Sequence, residues 1–274
     1  MVRPAAKLLA IAGSDPSGGA GAQADIKTFS ALGGYGMAAI TALTAQNTQG
    51  VLASVPVAPQ LVAAQIDAIF ADIEVDAVKI GMLAQADVAH AVAEALARGK
   101  AKNIVLDPVL APSQGEDFSS GDLAPAIVEI LLPMAALVTP NLAEAAALTA
   151  TPAARSVTEM ERQARALVSL GAGAALVKGG HLDGAPVDVL FAAGQSMLFG
   201  GARVETGQTH GTGCALSSAI AAGLGQGLAL EQAVARAKTW LEHALIAGEA
   251  FRLGHGAGPP DFFWETRGEP AEGR

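Results

Sequence analysis

The hexapeptide Thr209-His210-Gly211-Thr212-Gly213-Cys214 holds the chain's one cysteine and runs directly into the apolar segment Ala215–Leu224. A glycine-rich turn before an apolar run places Cys214 at a helix start. Such a start presents unpaired backbone N–H groups and a partial positive charge, so it suits a phosphate or a developing oxyanion. The same features are expected to lower a thiol from its ordinary pKa of about 8.5 and favour the thiolate. The glycines let the backbone approach a ligand closely, which a Cβ hinders. Taken alone, the turn reads equally well as a loop entering a core helix.

The elements that must position it are legible as an alternation of short apolar runs and longer runs of helical period, the signature of a parallel sheet covered by helices. Strands are expected at Lys7–Ala12, Met37–Ala42, Ala77–Ile80, Ile104–Leu106, Ala136–Val138, Ala174–Lys178 and Val187–Ala192. Helices are expected at Ala22–Leu32, Gln60–Ala71, Gln85–Arg98, Ser120–Leu132, Leu142–Leu148, Thr158–Leu170 and Leu230–Phe251. Either Ser156 with Glu159 or Thr158 with Glu161 has the spacing of a capping box. Polar residues after the strands of such a sheet gather along one edge, where open α/β folds bind ligands. They include the Gly13–Gly21 loop with Asp25 one turn beyond, Gln46-Asn47-Thr48, Lys79 to Met82, Asp107-Pro108-Val109, Thr139-Pro140-Asn141 with Glu144, and Lys178-Gly179-Gly180-His181. Carboxylates, cations, glycine turns and a helix start on one edge are the equipment of phosphoryl transfer.

Composition narrows the class. The 274 residues are 51% hydrophobic but only 4% aromatic. No linker or repeat interrupts them, so residues 1–274 read as one α/β domain, with a loose tail expected at 254–274. A net charge of −9 argues against nucleic acid as a partner. The apolar stretch after Cys214 is broken by Ser217, Ser218 and Gly223, so no membrane span is expected. A lone cysteine accords with a cytoplasmic protein.

Seven motifs in order then resemble one family. They are Ala12–Gly21 through Gln23-Ala24-Asp25, Thr41-Ala42-Leu43 through Gln46-Asn47-Thr48, Lys79-Ile80-Gly81-Met82-Leu83, Leu106–Val109, Thr139-Pro140-Asn141 with Glu144-Ala145, Val177–His181, and Thr209–Cys214. From Leu8 to about Gly258 the chain resembles the hydroxymethylpyrimidine and phosphomethylpyrimidine kinases of thiamine biosynthesis, within the ribokinase-like superfamily. The resemblance implies a three-layer α/β/α sandwich with a mostly parallel central sheet. It implies transfer of the γ-phosphate of ATP to a pyrimidine alcohol and then to its monophosphate. A homodimer is common in the family.

By the same resemblance Asp25 and Gln46 hold the substrate, Met82 and Val109 pack on its ring, and Gly13 lets the ring lie close to the backbone. Lys178 touches ATP phosphates, and Asp107 and Glu144 form the Mg2+ shell through water. Gly211, Thr212 and Gly213 bind the transferred phosphoryl group. Cys214 stands where most ribokinase-like sugar kinases have an aspartate, which makes it the candidate general base. Each has a plainer reading: Asp25 and Glu144 as first-turn acids facing a helix dipole, Gln46 as a loop cap, Met82 and Val109 as core, Gly13 as a strand-ending turn, Lys178 as a solvated lysine, and Cys214 as a small packing residue. His181 and His210 receive no role. Leu110–Asp117 departs from the family's usual Lys/Thr-Ser-Gly loop, and neither it nor the tail is assigned chemistry. A pyridoxal or pyridoxine kinase is the nearest alternative function. A non-catalytic pyrimidine sensor on the same fold is the alternative from another class.

Overall fold

Strand β1 (Lys7–Ala12) shows how the sheet divides the molecule. Leu8 and Ala10 enter one apolar core and Leu9 and Ile11 the other, following the two-residue repeat of a strand. Burial on both faces leaves no room for polar alternation, so the run Leu-Leu-Ala-Ile-Ala is continuous. The computed structural model describes residues 5–110, 122–180, 182, 184–250 and 252–266.

The other strands are β2 (Tyr35–Ile40), β3 (Ala42–Asn47), β4 (Gly50–Pro56), β5 (Ala77–Ile80), β6 (Ile104–Leu106), β7 (Leu137–Val138), β8 (Ala174–Val177), β9 (Val187–Ala192) and β10 (Gln195–Gly200). Eight of them form one sheet in the order β10-β9-β8-β7-β6-β5-β1-β2, parallel except where β9 pairs antiparallel with β8 and β10. Strands β3 and β4 form a separate antiparallel hairpin.

Helices α1 (Gly21–Ala31), α7 (Thr212–Gly225) and α8 (Leu230–Gly248) cover one face through Phe29, Ile220 and Trp240. Helices α2 (Pro59–Asp72), α3 (Ala86–Arg98), α4 (Leu123–Ala126), α5 (Leu142–Thr149) and α6 (Val157–Ser169) cover the other through residues such as Ile66, Leu96 and Leu167. The result is the expected three-layer α/β/α sandwich. Helix α7 is buried without interruption from Ala215 to Gly223, which its small residues permit. A Cβ on Gly223 would lie 2.8 Å from that of Ala233 on α8. Among the described residues no helix is long and apolar enough to cross a membrane.

Several boundaries differ from expectation. The second strand stops at Ile40 rather than Ala42, and the chain turns into the hairpin, so Gln46 and Asn47 lie on β3 and not in a post-strand loop. The hairpin escapes sequence reading because its ladder slips: Ala45 pairs with Ala53 but Gln46 with Val51, leaving Leu52 as an extra residue that breaks the alternation. Strand β10 has no counterpart among the expected elements. The expected helix at Ser120–Leu132 is described only from Leu123 onward, as α4 followed by a π turn (Ile127–Leu131) and a 3-10 turn (Leu132–Met134). Ser120 and the loop from Ala111 to Asp117 lie outside the described residues, as do His181 and the tail from Arg267 to Arg274. Before that point the tail is held: Asp261 N donates to Ala244 O at 2.9 Å, and Phe262 is buried beside the α7–α8 core.

Ser156 caps α6 by accepting from Glu159 N, while the Glu159 carboxylate turns to Arg155 N. The reciprocal capping box belongs instead to α5, where Asn141 Oδ1 accepts from Glu144 N and Glu144 Oε2 accepts from Asn141 N.

Candidate active site

A cavity of about 830 Å3 opens where β1, β5, β6, β7 and β8 end. The loops after these strands, the β3–β4 hairpin, the start of α7 and one face of α8 form its walls. It is lined by Gly13, Gln46, Met82, Val109, Asp107, Glu144, Lys178, Gly211, Thr212, Gly213 and Cys214. Of the candidate site residues only Asp25 does not line it.

Gly13 is fitted to Met82, whose Cε would lie 3.0 Å from a Cβ at that position. Gly211 begins α7 with φ of 78°, a left-handed conformation that favours glycine. A Cβ there would also collide with the carbonyl of Gly19. The turn Thr209–Cys214 is thereby pressed against the Gly13–Gly21 loop.

The charged end of the cavity centres on Asp107. Lys178 Nζ donates to its Oδ1 at 2.9 Å, Thr139 Oγ1 to the same oxygen at 3.3 Å, and Ser217 Oγ to Oδ2 at 3.3 Å. Burial raises the Asp107 pKa, but Lys178 and Lys79 outweigh it and hold the carboxyl below the usual range. Burial likewise opposes the charge of Lys178, and Asp107 with Glu144 restores it, raising its pKa. A Cβ on Gly213 would sit 3.3 Å from Lys178 Nζ and 3.7 Å from Asp107 Oδ2. The bare backbone of the turn therefore faces this ion pair. Gly179 N donates to Asp188 Oδ1, and Lys238 Nζ donates to Asp188 Oδ2 at 2.6 Å, which fixes the turn after Lys178.

Two expectations require correction. Asp25 is fully buried beneath the cavity, accepting from Lys79 Nζ at 2.8 and 3.0 Å and from Ser218 Oγ at 2.7 Å. Its carboxylate neutralises Lys79, which lies close under Gly81, so it is neither a solvated first-turn acid nor a direct ligand group. The pair holds Lys79 protonated against the effect of burial. Cys214, too, differs from the expected low-pKa thiol: burial pushes it up to about 11, with Asp25 and Asp107 adding to the rise and Lys79 and a Gly21 N–H opposing it. Desolvation outweighs the helix start.

Sequence reading missed Asp15 and His210. His210 Nε2 lies 2.8 Å from Asp15 Oδ2, both side chains almost completely buried, in a contact that joins positions 195 apart. The visible signals are an Asp in the glycine-bearing loop after β1 and a His directly before the Gly211 turn.

The donor set suits Mg2+ better than a softer metal. Asp107 and Glu144 supply hard oxygens, and burial together with the Asp107 charge raises Glu144 to about 7 against the opposing charge of Lys178. Among the described residues no group of three or more His, Cys, Asp or Glu side chains could hold a metal by itself. Magnesium fits such a site, since it takes one or two carboxylates and completes its shell with water and phosphate oxygens.

This architecture and cavity agree with the sequence comparison. The family model described as phosphomethylpyrimidine kinase matches residues 15–261. The chain belongs to the phosphomethylpyrimidine kinase family. It is 49% identical over 256 residues to the hydroxymethylpyrimidine/phosphomethylpyrimidine kinase of Rhizobium meliloti, covering 93% of this chain and 96% of that one. The enzyme of the same name from Escherichia coli is 48% identical over the same shares. Among solved structures, phosphomethylpyrimidine kinase from Clostridium difficile is 38% identical with a TM-score of 0.78, covering 87% of this chain and 99% of that one. Bacillus subtilis pyridoxal kinase in an ADP complex is 34% identical with a TM-score of 0.86, covering 94% and 98%. The family's ribokinase-like sandwich is thus shared by kinases of two ring alcohols.

Proposed function

We infer that the protein is a kinase that uses ATP to phosphorylate 4-amino-5-hydroxymethyl-2-methylpyrimidine and then its monophosphate, giving the diphosphate for thiamine biosynthesis. The observation that carries this is the single cavity, in which residues fit for an aromatic ring (Gly13, Gln46, Met82, Val109) and residues fit for phosphates (Lys178, Asp107, Gly211 to Gly213) line one space. Its near-complete overlap with relatives bearing that name supports the substrate.

In the proposed reaction Met82 and Val109 flank the ring and Gln46 bonds its polar edge. Lys178 neutralises phosphate oxygens of ATP, and the N–H groups at the start of α7 receive the charge of the transferred group. Asp107 and Glu144 would hold Mg2+, whose charge would neutralise phosphate oxygens. Cys214 is the candidate base for the alcohol proton. Burial pushes its pKa up to about 11, so it rests mainly as the neutral thiol, and the small thiolate fraction is the form that would take the alcohol proton.

A coupled ADP-release assay over pyrimidine, pyridoxine-type and sugar alcohols tests the assignment. Fastest turnover on the pyrimidine alcohol and its monophosphate is the expected result, and turnover on neither would sink it. The second reading, a pyridoxal kinase, is favoured by the likeness to pyridoxal kinases, including the Staphylococcus aureus enzyme at a TM-score of 0.89 and 30% identity. The same assay decides it.

Leu43 and Val55 are paired across the hairpin and exposed, with Leu52 beside them 78% exposed. We take this apolar strip as the contact of a homodimer. The lone free cysteine supports a reducing, cytoplasmic setting.

A further inference from the structure

Gln46 is flanked by two groups whose polarity is already fixed. As placed, Gln46 Nε2 is 3.3 Å from His210 Nε2 and Gln46 Oε1 is 3.3 Å from Thr44 Oγ1. Thr44 donates its single hydroxyl proton to Ser14 O at 2.8 Å, so toward Gln46 it offers only lone pairs. His210 Nε2 faces Asp15 Oδ2 at 2.8 Å. That carboxylate also accepts from the backbone N–H groups of Ser17, Gly19 and Ala20 and from the Ser17 hydroxyl. Burial raises its pKa, but the bonds from His210, Ser17 and Ala20 outweigh this and keep it ionised. An ionised oxygen at 2.8 Å requires a proton on Nε2, whether the ring is neutral or charged. That single proton is already engaged by Asp15, so toward Gln46 the ring nitrogen offers at most a share of it and no lone pair.

Between a hydroxyl that offers only lone pairs and a ring nitrogen that offers none, the amide is satisfied by turning over, carbonyl to His210 and NH2 to Thr44. The reverse sets N–H against N–H and lone pair against lone pair, and the two ends of an amide are assigned by such partners. The imidazole is held where it is: His210 N donates to Gly258 O at 3.0 Å, and the ring occupies space that a Cβ on Gly19 would need.

We propose that His210, oriented by Asp15, is a positioning residue that fixes the polarity of the Gln46 amide and thereby selects the substrate ring and the direction of its alcohol. The inference rests on the pyrimidine reading above. With the polarity fixed, Gln46 accepts from an exocyclic amine on its His210 side and donates to a ring nitrogen on its Thr44 side. In a 4-amino-5-hydroxymethylpyrimidine the alcohol-bearing carbon adjoins the amine-bearing carbon. Its alcohol is thus turned toward His210 and the adjoining turn Gly211–Cys214. A 4-oxo ring carries the reversed donor and acceptor order, so it binds only with its alcohol directed away from that turn.

The test compares kcat/KM for 4-amino-5-hydroxymethyl-2-methylpyrimidine and for its 4-oxo counterpart. The wild type is expected to prefer the amine by on the order of 10²-fold, the scale of one or two mispaired buried hydrogen bonds. His210→Ala frees the amide to turn over, and the preference should shrink about tenfold or more beyond any loss common to both substrates. Thr44→Val, which keeps a shape suited to the strand, should shrink it in the same direction and decides the matter if His210→Ala does not fold. An undiminished preference in the folded variants overturns the proposal alone. Phosphorylation of neither ring by the wild type overturns the pyrimidine reading and the proposal with it.

Discussion

Glu144 serves two ends with one carboxylate. It closes the α5 capping box and faces the Asp107–Lys178 pair, and burial raises its pKa from 4.5 to about 7. A carboxyl raised on folding binds its proton more tightly in the native state, so its contribution is fully present below about pH 4.5 and is lost as pH rises through 7. Glu144→Gln keeps the oxygen that accepts from Asn141 N and removes the charge. In the absence of metal this variant is expected to be more stable than wild type by ~1–3 kcal/mol at pH 8 and nearly equal to it at pH 5. Thermal melts at both pH values check this, and a loss of stability at pH 8 would contradict it. Activity should fall in the same variant, because the proposed magnesium ligand is gone. Cys214 yields a second prediction from its raised pKa. If its thiolate takes the proton of the neutral alcohol, the rate of that step should climb with pH from 7 toward 10, since the reactive form increases up to about 11. The monophosphate already has a phosphate nucleophile with a second pKa of about 6 and needs no such base. Single-turnover rates are expected to show the climb only for the alcohol in the wild type and for neither substrate in Cys214→Ala. Parallel profiles for both steps would leave Cys214 as a packing residue of the turn.

At the scale of elements, the proposed dimer would connect assembly with recognition through the hairpin, because β3 carries the exposed Leu43 and, three residues on, the cavity residue Gln46. Leu43→Glu is expected to convert a dimer into a monomer in light scattering and to raise the KM for the pyrimidine more than that for ATP. A monomeric wild type would remove the premise. This element was also where sequence reading was weakest. The parallel strands were legible because two-sided burial produces short unbroken apolar runs, as in Lys7–Ala12. Strand β3, by contrast, reads Ala-Leu-Thr-Ala-Gln-Asn and has neither a run nor, with the slip at Gln46, a clean alternation. The site divides in the same way. Gly211 to Cys214 and Lys178 are short contiguous motifs whose local chemistry is visible in the chain. The Asp15–His210 contact and the burial of Asp25 against Lys79 arise from packing between distant loops and helices. So does the thiol's high pKa: a helix start can be read from six residues, but the dielectric around it and the fields of Asp25 and Asp107 cannot.

At the scale of the whole molecule, charge opposes the substrates. The chain carries a net charge of −9, while ATP and the monophosphate are anions and the pyrimidine alcohol is neutral. Lys178 and Lys238 line the cavity as cations that phosphates could meet, yet each is already engaged by a carboxylate, Asp107 and Asp188 respectively. Long-range repulsion thus acts during approach, whereas short-range attraction acts in a partly desolvated site that salt reaches poorly. The Debye length shrinks from about 30 Å at 0.01 M to about 8 Å at 0.15 M, so added salt should remove the repulsion first. Between these ionic strengths the KM values for ATP and for the monophosphate are expected to fall severalfold, while that for the neutral alcohol stays constant. Steady-state kinetics at fixed Mg2+, with an inert monovalent salt, provide the check. The opposite trend, rising KM for both anions, would mean that the cavity lysines govern approach as well as binding and that the acidic surface is too remote to matter.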